Sequence, residues 1–229
     1  MRRLSAYPTQ PLRTDLKIIA SLIPQGCRVL DIGCGDGTLL SYLEEHHHVH
    51  GHGIELNGDN VALCLEKGLH VCQGDADTDL AMYPARLFDY AILGHTLQAT
   101  HNPLHIVKEL VRVARFGVIS FPNFGYWRLR LSLLVTGRMP QTDALPHPWH
   151  DTPNIHLCTG KDFTDLCRQN KIRITHTHTN HNLMSQFTVC MIERTTSSPA
   201  QTPHPDDETH APPVMRASTN DKARSPKSL

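Results

Sequence analysis

The chain has 229 residues, which at roughly 150 residues per domain means one domain with additions. Lys plus Arg and Asp plus Glu number 22 each, so the formal charge is zero. Without a basic excess, neither nucleic acid nor an anionic membrane is an expected partner. A composition of 39% hydrophobic and 19% charged residues excludes a wholly disordered chain, and no run approaches the roughly 18 apolar residues of a membrane span.

Residues 1–12 read as a flexible N-terminus, basic at Arg2 and Arg3 but without the apolar core of a secretory signal. Thr14 is placed to cap a short helix carrying Leu16, Ile19, Ala20 and Ile23, closed by Pro24. Arg28 to Ile32 has the pattern of a short buried strand. A glycine loop follows, then a helix with Leu39, Leu40 and Leu43 on one face. Val49 to Leu56 reads as a second strand, and Asp59 to Lys67 as a helix with Val61, Ala62 and Leu65 inward and Gly68 after its end. Val71 to Gln73 and Phe88 to Leu93 are the third and fourth strands. Asn102-Pro103 opens a helix whose face is Ile106, Val107, Leu110, Val111 and Ala114. Gly117 to Phe121 is a fifth strand. Thr159 and Asp162 form a capping-box pattern opening a helix to Asn170, and strands at Ile172–Thr177 and Phe187–Ile192 complete the set. Such alternation predicts an α/β fold, Rossmann-like, with a mostly parallel seven-stranded sheet and helices on both faces. The domain spans 13–194. Residues 195–229, with six prolines and no aromatic residue, read as a disordered tail.

The seven cysteines are odd in number, scattered and never spaced C-x-x-C, which fits reduced cytoplasmic thiols, mostly acting as small core residues. The 17 histidines include clusters at 46–52 and at His176, His178 and His181, and strand alternation could place His48, His50 and His52 on one face. Without evident thiolate or carboxylate partners, no metal is expected. No G-x-S-x-G elbow appears, so the chain is not itself an acyltransferase of the hydrolase type.

The motif Val29-Leu30-Asp31-Ile32-Gly33-Cys34-Gly35-Asp36-Gly37 runs from strand through glycines into helix. In a doubly wound sheet that turn lies at the ligand crevice. A dinucleotide loop, G-x-G-x-x-G, would need Gly where Thr38 stands. The spacing G-x-G-x-G beside Asp31 resembles instead the S-adenosylmethionine loop of class I methyltransferases, whose ligand carries a cationic amino-acid end and a sulfonium. Glu55, at the end of the second strand, can accept from both ribose hydroxyls. The resemblance implies that Asp75 meets the adenine amino group and the Ala76 backbone the ring, so Asp31, Gly33, Gly35, Gly37, Glu55, Asp75 and Ala76 form the candidate cofactor site. A tight packing turn, a surface Glu and a solvated acidic turn are the bland alternatives, the last preferred for Asp77 and Asp79.

Residues 122–158 form an insertion without clear periodicity, carrying both tryptophans with Arg128, Arg130 and Arg138, and Leu129, Leu131, Leu133 and Leu134 as an amphipathic stretch. This composition suits a lid over the cofactor or a docking surface. The runs P-N-F-G-x-W, G-R-M-P and W-x-D-T-P-N-I-H-L-C resemble the MetW family of methionine-biosynthesis proteins, over roughly Leu12 to Glu193. That resemblance implies a cytoplasmic bacterial protein that binds S-adenosylmethionine or S-adenosylhomocysteine and works beside a homoserine O-acyltransferase (MetX). The tail, the histidine-rich stretch at 45–52, and His95 where an uncharged polar residue is expected are departures from the family pattern. The alternative is a genuine methyltransferase acting on a small molecule, with His95, Tyr126, His150 or His156 as base. No N-P-P-Y motif follows the fourth strand, and His95 and His156 also suit plain structural hydrogen bonding.

Overall fold

The computed structural model describes residues 12–142, 144–178 and 183–195. The elements run α1 (Thr14–Leu22), β1 (Arg28–Ile32), α2 (Thr38–His47), β2 (His50–Glu55), α3 (Gly58–Glu66), β3 (Val71–Gln73), the one-turn α4 (Ala76–Asp79), β4 (Phe88–Gly94), α5 (Pro103–Val113), β5 (Ala114–Pro122), α6 (Trp127–Thr136), α7 (Gly160–Gln169), β6 (Ile172–His178) and β7 (Phe187–Arg194), with a 3-10 turn at Leu97–Ala99.

The seven strands form one sheet in the order β3-β2-β1-β4-β5-β7-β6. The pairs β2/β3, β1/β2, β1/β4 and β4/β5 are parallel, and β7 runs antiparallel to β5 and β6. The central strands are buried on both faces, as parallel strands between two helical layers must be. Leu30, Ile32, Ala91, Leu93, Ile119 and Phe121 point to the face covered by α5 and α7. Val29, Ile92, Val118 and Val189 point to the face covered by α1 and α2. Cys64 of α3 packs with Leu40, Leu69 and Val71 in a third cluster. Chain order reverses direction across the sheet between β1 and β4, and the crevice at their carboxyl ends is where such sheets place ligands.

The seven-stranded α/β sheet with both faces covered agrees with the sequence pattern, as do the Asn102 cap, whose side chain accepts from the His105 amide, and the Thr159–Asp162 capping box. Several local expectations are corrected. Thr14 is the first helical residue rather than the cap, because the Arg13 guanidinium reaches forward to Asp15 and fixes the helix start without a side-chain cap. The α3 helix starts one residue early because the Asn57 side chain accepts from Asp59 and Asn60 amides. Its buried face is Val61 and Cys64, leaving Ala62 and Leu65 outside. Ala114 is the first residue of β5, not the last of α5. His48 ends α2 in the left-handed region (φ 53°), so only His50 and His52 share a strand face. His47 Nδ1 donates to the Ile23 carbonyl (2.8 Å), a structural use for that ring. Four of the seven cysteines are buried and one, Cys72, is exposed. Among the described residues, no helix is long and apolar enough to cross a membrane, and no three His, Cys, Asp or Glu side chains are grouped to hold a metal. Residues 1–11, His181 and the tail from 196 lie outside the described residues.

Candidate functional site

The glycine loop leaves β1 with Gly33 and Cys34 amides both donating to the Ile54 carbonyl (2.7 and 3.2 Å). Gly33, Gly35 and Gly37 all have positive φ, near 68°, 57° and 74°, a region that glycine enters without steric cost. A Cβ on Gly33 would meet the Thr96 hydroxyl at 2.5 Å, and one on Gly37 would meet Leu69 at 2.4 Å. At Gly35 there is nothing within 4 Å, so this glycine lies beside open space. Asp36, ahead of the Gly37 cap of α2, accepts from the Thr38 amide and hydroxyl, and it pairs with Lys67 (3.1 Å). Burial opposes its ionisation, but these bonds win and hold its carboxyl below the usual range. The sequence reading missed this role, though the Asp-x-Thr spacing ahead of a helix signals it.

Glu55 is buried at the end of β2. Its Oε2 accepts from the Gly35 amide (2.8 Å) and its Oε1 from the Asn57 amide (2.9 Å), so it ties the glycine loop to the loop after β2. Asp31, only 3% exposed, lies on the adjacent strand. Burial, then the neighbouring Glu55 charge, pushes its pKa up to about 7. Among the described residues no Lys, Arg or His forms an ion pair with either carboxylate. Two buried acids therefore lie within electrostatic reach of each other, with no ion-paired protein cation among the described residues.

Asp75 and Ala76 follow at the end of β3. The Asp75 side chain caps α4 by accepting from the Asp77 amide (2.9 Å), and its own amide donates to Asp79 Oδ2 (2.9 Å). Asp77 and Asp79 are not merely a solvated turn. Asp77 accepts from the His101 and Asn102 amides (2.8 and 3.1 Å) and so anchors the start of α5 to this loop. The backbone puts the glycine loop, Asp31, Glu55, Asp75 and Ala76 along the carboxyl ends of three adjacent strands, β1, β2 and β3.

The four candidate bases have separate surroundings. His95 follows β4 with φ 59°, an unusual conformation for a residue other than glycine. Its Nε2 lies 3.4 Å from Asp15 Oδ2, the same oxygen that accepts from the Ser120 hydroxyl (3.2 Å) and pairs with Arg13 (3.1 Å). Burial lowers the His95 pKa, with Asp15 opposing, so the ring is neutral at pH 7. Tyr126 is buried against Leu129 and Leu145. His150 lies edge-on to Trp149. His156 is exposed, and its amide donates to the Gln98 carbonyl (3.1 Å).

The insertion contains α6, which the sequence pattern did not resolve as a helix. Of its four leucines only Leu129 is buried; Leu131, Leu133 and Leu134 face outward, Leu134 at 82% exposure, with Val135 and Trp127. The amphipathic expectation therefore fails: the helix is apolar on the side turned to solvent. It is held at its start by the Trp127 amide donating to the Leu183 carbonyl (2.8 Å), which brings exposed Leu183 beside it.

The family model described as "Methionine biosynthesis protein MetW" matches residues 13–197. The bifunctional methionine biosynthesis protein MetXA/MetW of Rhodopirellula baltica is 35% identical over 182 residues, covering 74% of this chain but 29% of that protein. The chain thus spans under a third of that relative's length. Among solved structures, an S-adenosylmethionine-dependent methyltransferase from Mesorhizobium loti superposes with a TM-score of 0.60 at 16% identity, covering 78% of this chain and 96% of that one. A SAM-dependent methyltransferase from Archaeoglobus fulgidus gives 0.58 at 16% identity, covering 78% and 91%. At such identity the likeness shows the fold, that of class I methyltransferases.

Proposed function

The chain belongs to the MetW family of methionine biosynthesis proteins, and from that premise we propose that it binds S-adenosylmethionine or S-adenosylhomocysteine and supports a cytoplasmic homoserine O-acyltransferase (MetX). The observation that carries the ligand reading is the Asp31–Glu55 pair. Two buried carboxylates without a protein cation among the described residues are costly unless something positive completes them. Both proposed ligands carry a cationic amino group, and S-adenosylmethionine adds a sulfonium.

In this reading Asp31 holds the cationic end, and Gly35 lets the backbone come close to the ligand. Glu55 already uses one lone pair of each oxygen on the loop amides, and it offers the others to the ribose hydroxyls. Asp75 and the Ala76 amide take the adenine edge. The cofactor supplies an activated methyl group when bound; the residues named here bind and orient it.

The Rhodopirellula relative is named as a bifunctional protein that joins MetXA and MetW. Fusion of that kind holds two modules at high effective concentration, which supports a partnership here between separate chains. We place the docking surface on the insertion, 122–158, where the outward leucines of α6, Trp127 and the arginines provide apolar and cationic anchors. Homoserine O-acyltransferase from the same organism, assayed with and without this protein, is expected to show a large rise in rate and a stable complex. Leu134→Asp should weaken that complex about tenfold without lowering the melting temperature; unchanged affinity would remove α6 from the interface.

The second reading, a small-molecule methyltransferase, is favoured by neutral His95 at the carboxyl end of β4, where a base could take a proton. Transfer of labelled methyl groups into a cell extract would support it. A link from ligand to partner, as feedback by a pathway end-product, predicts that S-adenosylmethionine changes partner affinity; calorimetry showing no change would rule the link out.

A further inference from the structure

A cavity of about 220 Å³ opens between the 3-10 turn after β4, the start of α5, the segment around Cys158, and α7. Leu97, Pro103, Phe163 and Leu166 make its walls apolar, and Gln98, Cys158 and His156 complete them. Asp162 also borders it, but that carboxylate is committed to the Thr159 capping box.

Gln98 stands out within this lining. The residue is 2% exposed, yet neither its Oε1 nor its Nε2 has a hydrogen-bond partner among nitrogen and oxygen atoms. Its polar neighbour is the Cys158 thiol, a weak partner that burial keeps protonated with a pKa pushed up to about 11. The backbone of Gln98 is fixed, because its carbonyl accepts from both the Ile155 and His156 amides (2.8 and 3.1 Å). A buried carboxamide with only a thiol beside it is under-satisfied, which costs stability, and natural structures rarely leave one so unless water or a ligand completes it.

We propose that this cavity is a binding site for a small neutral amide or lactam with an apolar body, held by the Gln98 carboxamide. One carboxamide presents a donor and an acceptor side by side, and another amide is the neutral group that answers both. A carboxylate is disfavoured, because the Asp162 carboxylate borders the cavity and no Lys or Arg lines it. An apolar cavity of about 150 Å³ takes a benzene ring, so this one takes a body of about nine heavy atoms. The site is distinct from the acidic pair. Thr96 fills the space beside Gly33, whereas Gln98, two residues on, belongs to this cavity. The inference stands whether or not the glycine loop binds S-adenosylmethionine.

The test uses the full chain, without cofactor, and benzamide as the probe, with toluene and benzoate as controls. Nuclear magnetic resonance would follow the side-chain amide signals of Gln98. Benzamide is expected to shift them with a Kd of about 1 mM, toluene to bind about fivefold to tenfold more weakly, and benzoate not to bind. Gln98→Leu should abolish the preference for benzamide over toluene. Leu166→Trp, which fills the cavity and leaves Gln98 in place, should abolish binding of both. Unmoved Gln98 signals, equal affinity for toluene and benzamide, or benzamide binding that survives Leu166→Trp would each overturn the proposal.

Discussion

Asp15, at the start of α1, and Asp31, near the carboxyl end of β1, are both 3% exposed, yet they are buried differently. Asp15 is surrounded by protein partners: the Arg13 guanidinium, the Ser120 hydroxyl and the His95 ring. Asp31 has another acid, Glu55, as its charged neighbour. The first carboxylate finds its partners within the protein and ties the start of α1 to β5. The second has no ion-paired protein cation among the described residues, and in the proposed reading the ligand takes that role. A buried carboxylate thus speaks for structure or for a ligand according to what faces it, not according to how deeply it lies.

The contrast can be broken or sharpened by substitution. The largest effect is expected for Glu55→Ala, which removes both the acid and the anchor of the Gly35 amide; affinity for S-adenosylmethionine should fall about 100-fold by calorimetry, equivalent to about 2.7 kcal/mol. Unchanged affinity would show that the pocket is misassigned. Asp15→Ala should cost about 2 kcal/mol of unfolding free energy in denaturant titrations, because it leaves the buried Ser120 hydroxyl without its acceptor, while S-adenosylmethionine affinity stays within about threefold.

Asp31→Asn should lower affinity about tenfold at pH 8 and yet raise the melting temperature of the ligand-free protein there. The sign follows from the raised pKa. The folded state holds its proton up to about pH 7, well above the unfolded value near 3.8, so stability is lost as pH rises through about 7. Wild type should therefore lose stability relative to Asp31→Asn between pH 5 and pH 8, while its affinity for the cationic ligand rises over the same interval. The smallest effect is expected for His95→Gln, which keeps a polar side chain at that place and should change S-adenosylmethionine affinity less than about twofold.

The strands, the glycine loop and the caps at Asn102 and Thr159 were legible in the sequence because each depends on neighbours a few residues away. The parallel sheet followed from alternation, and the candidate residues on β1, β2 and β3 lie along neighbouring strand ends because the strand order brings those ends side by side. What could not be read depends on distant pairings. Asp15 meets Ser120 across 105 positions of the chain, and nothing near Asp15 announces it. The cavity at Gln98 is assembled from the turn after β4, the start of α5, the end of the insertion and α7. Helix α6 was obscured because its leucines do not keep to one buried face. The inward face of α3 was misjudged because Cys64, not Leu65, takes the fully buried place.

The most direct test of the acidic pair is a calorimetric titration of S-adenosylmethionine into the purified chain at pH 8 and at pH 5.5. Binding that is clear at pH 8 and weakens about tenfold or more at pH 5.5, with Asp31→Asn showing little pH dependence, is the predicted result. No binding at pH 8, or equal affinity at both values in wild type, would contradict the assignment of Asp31 and Glu55 as the seat of a cationic ligand.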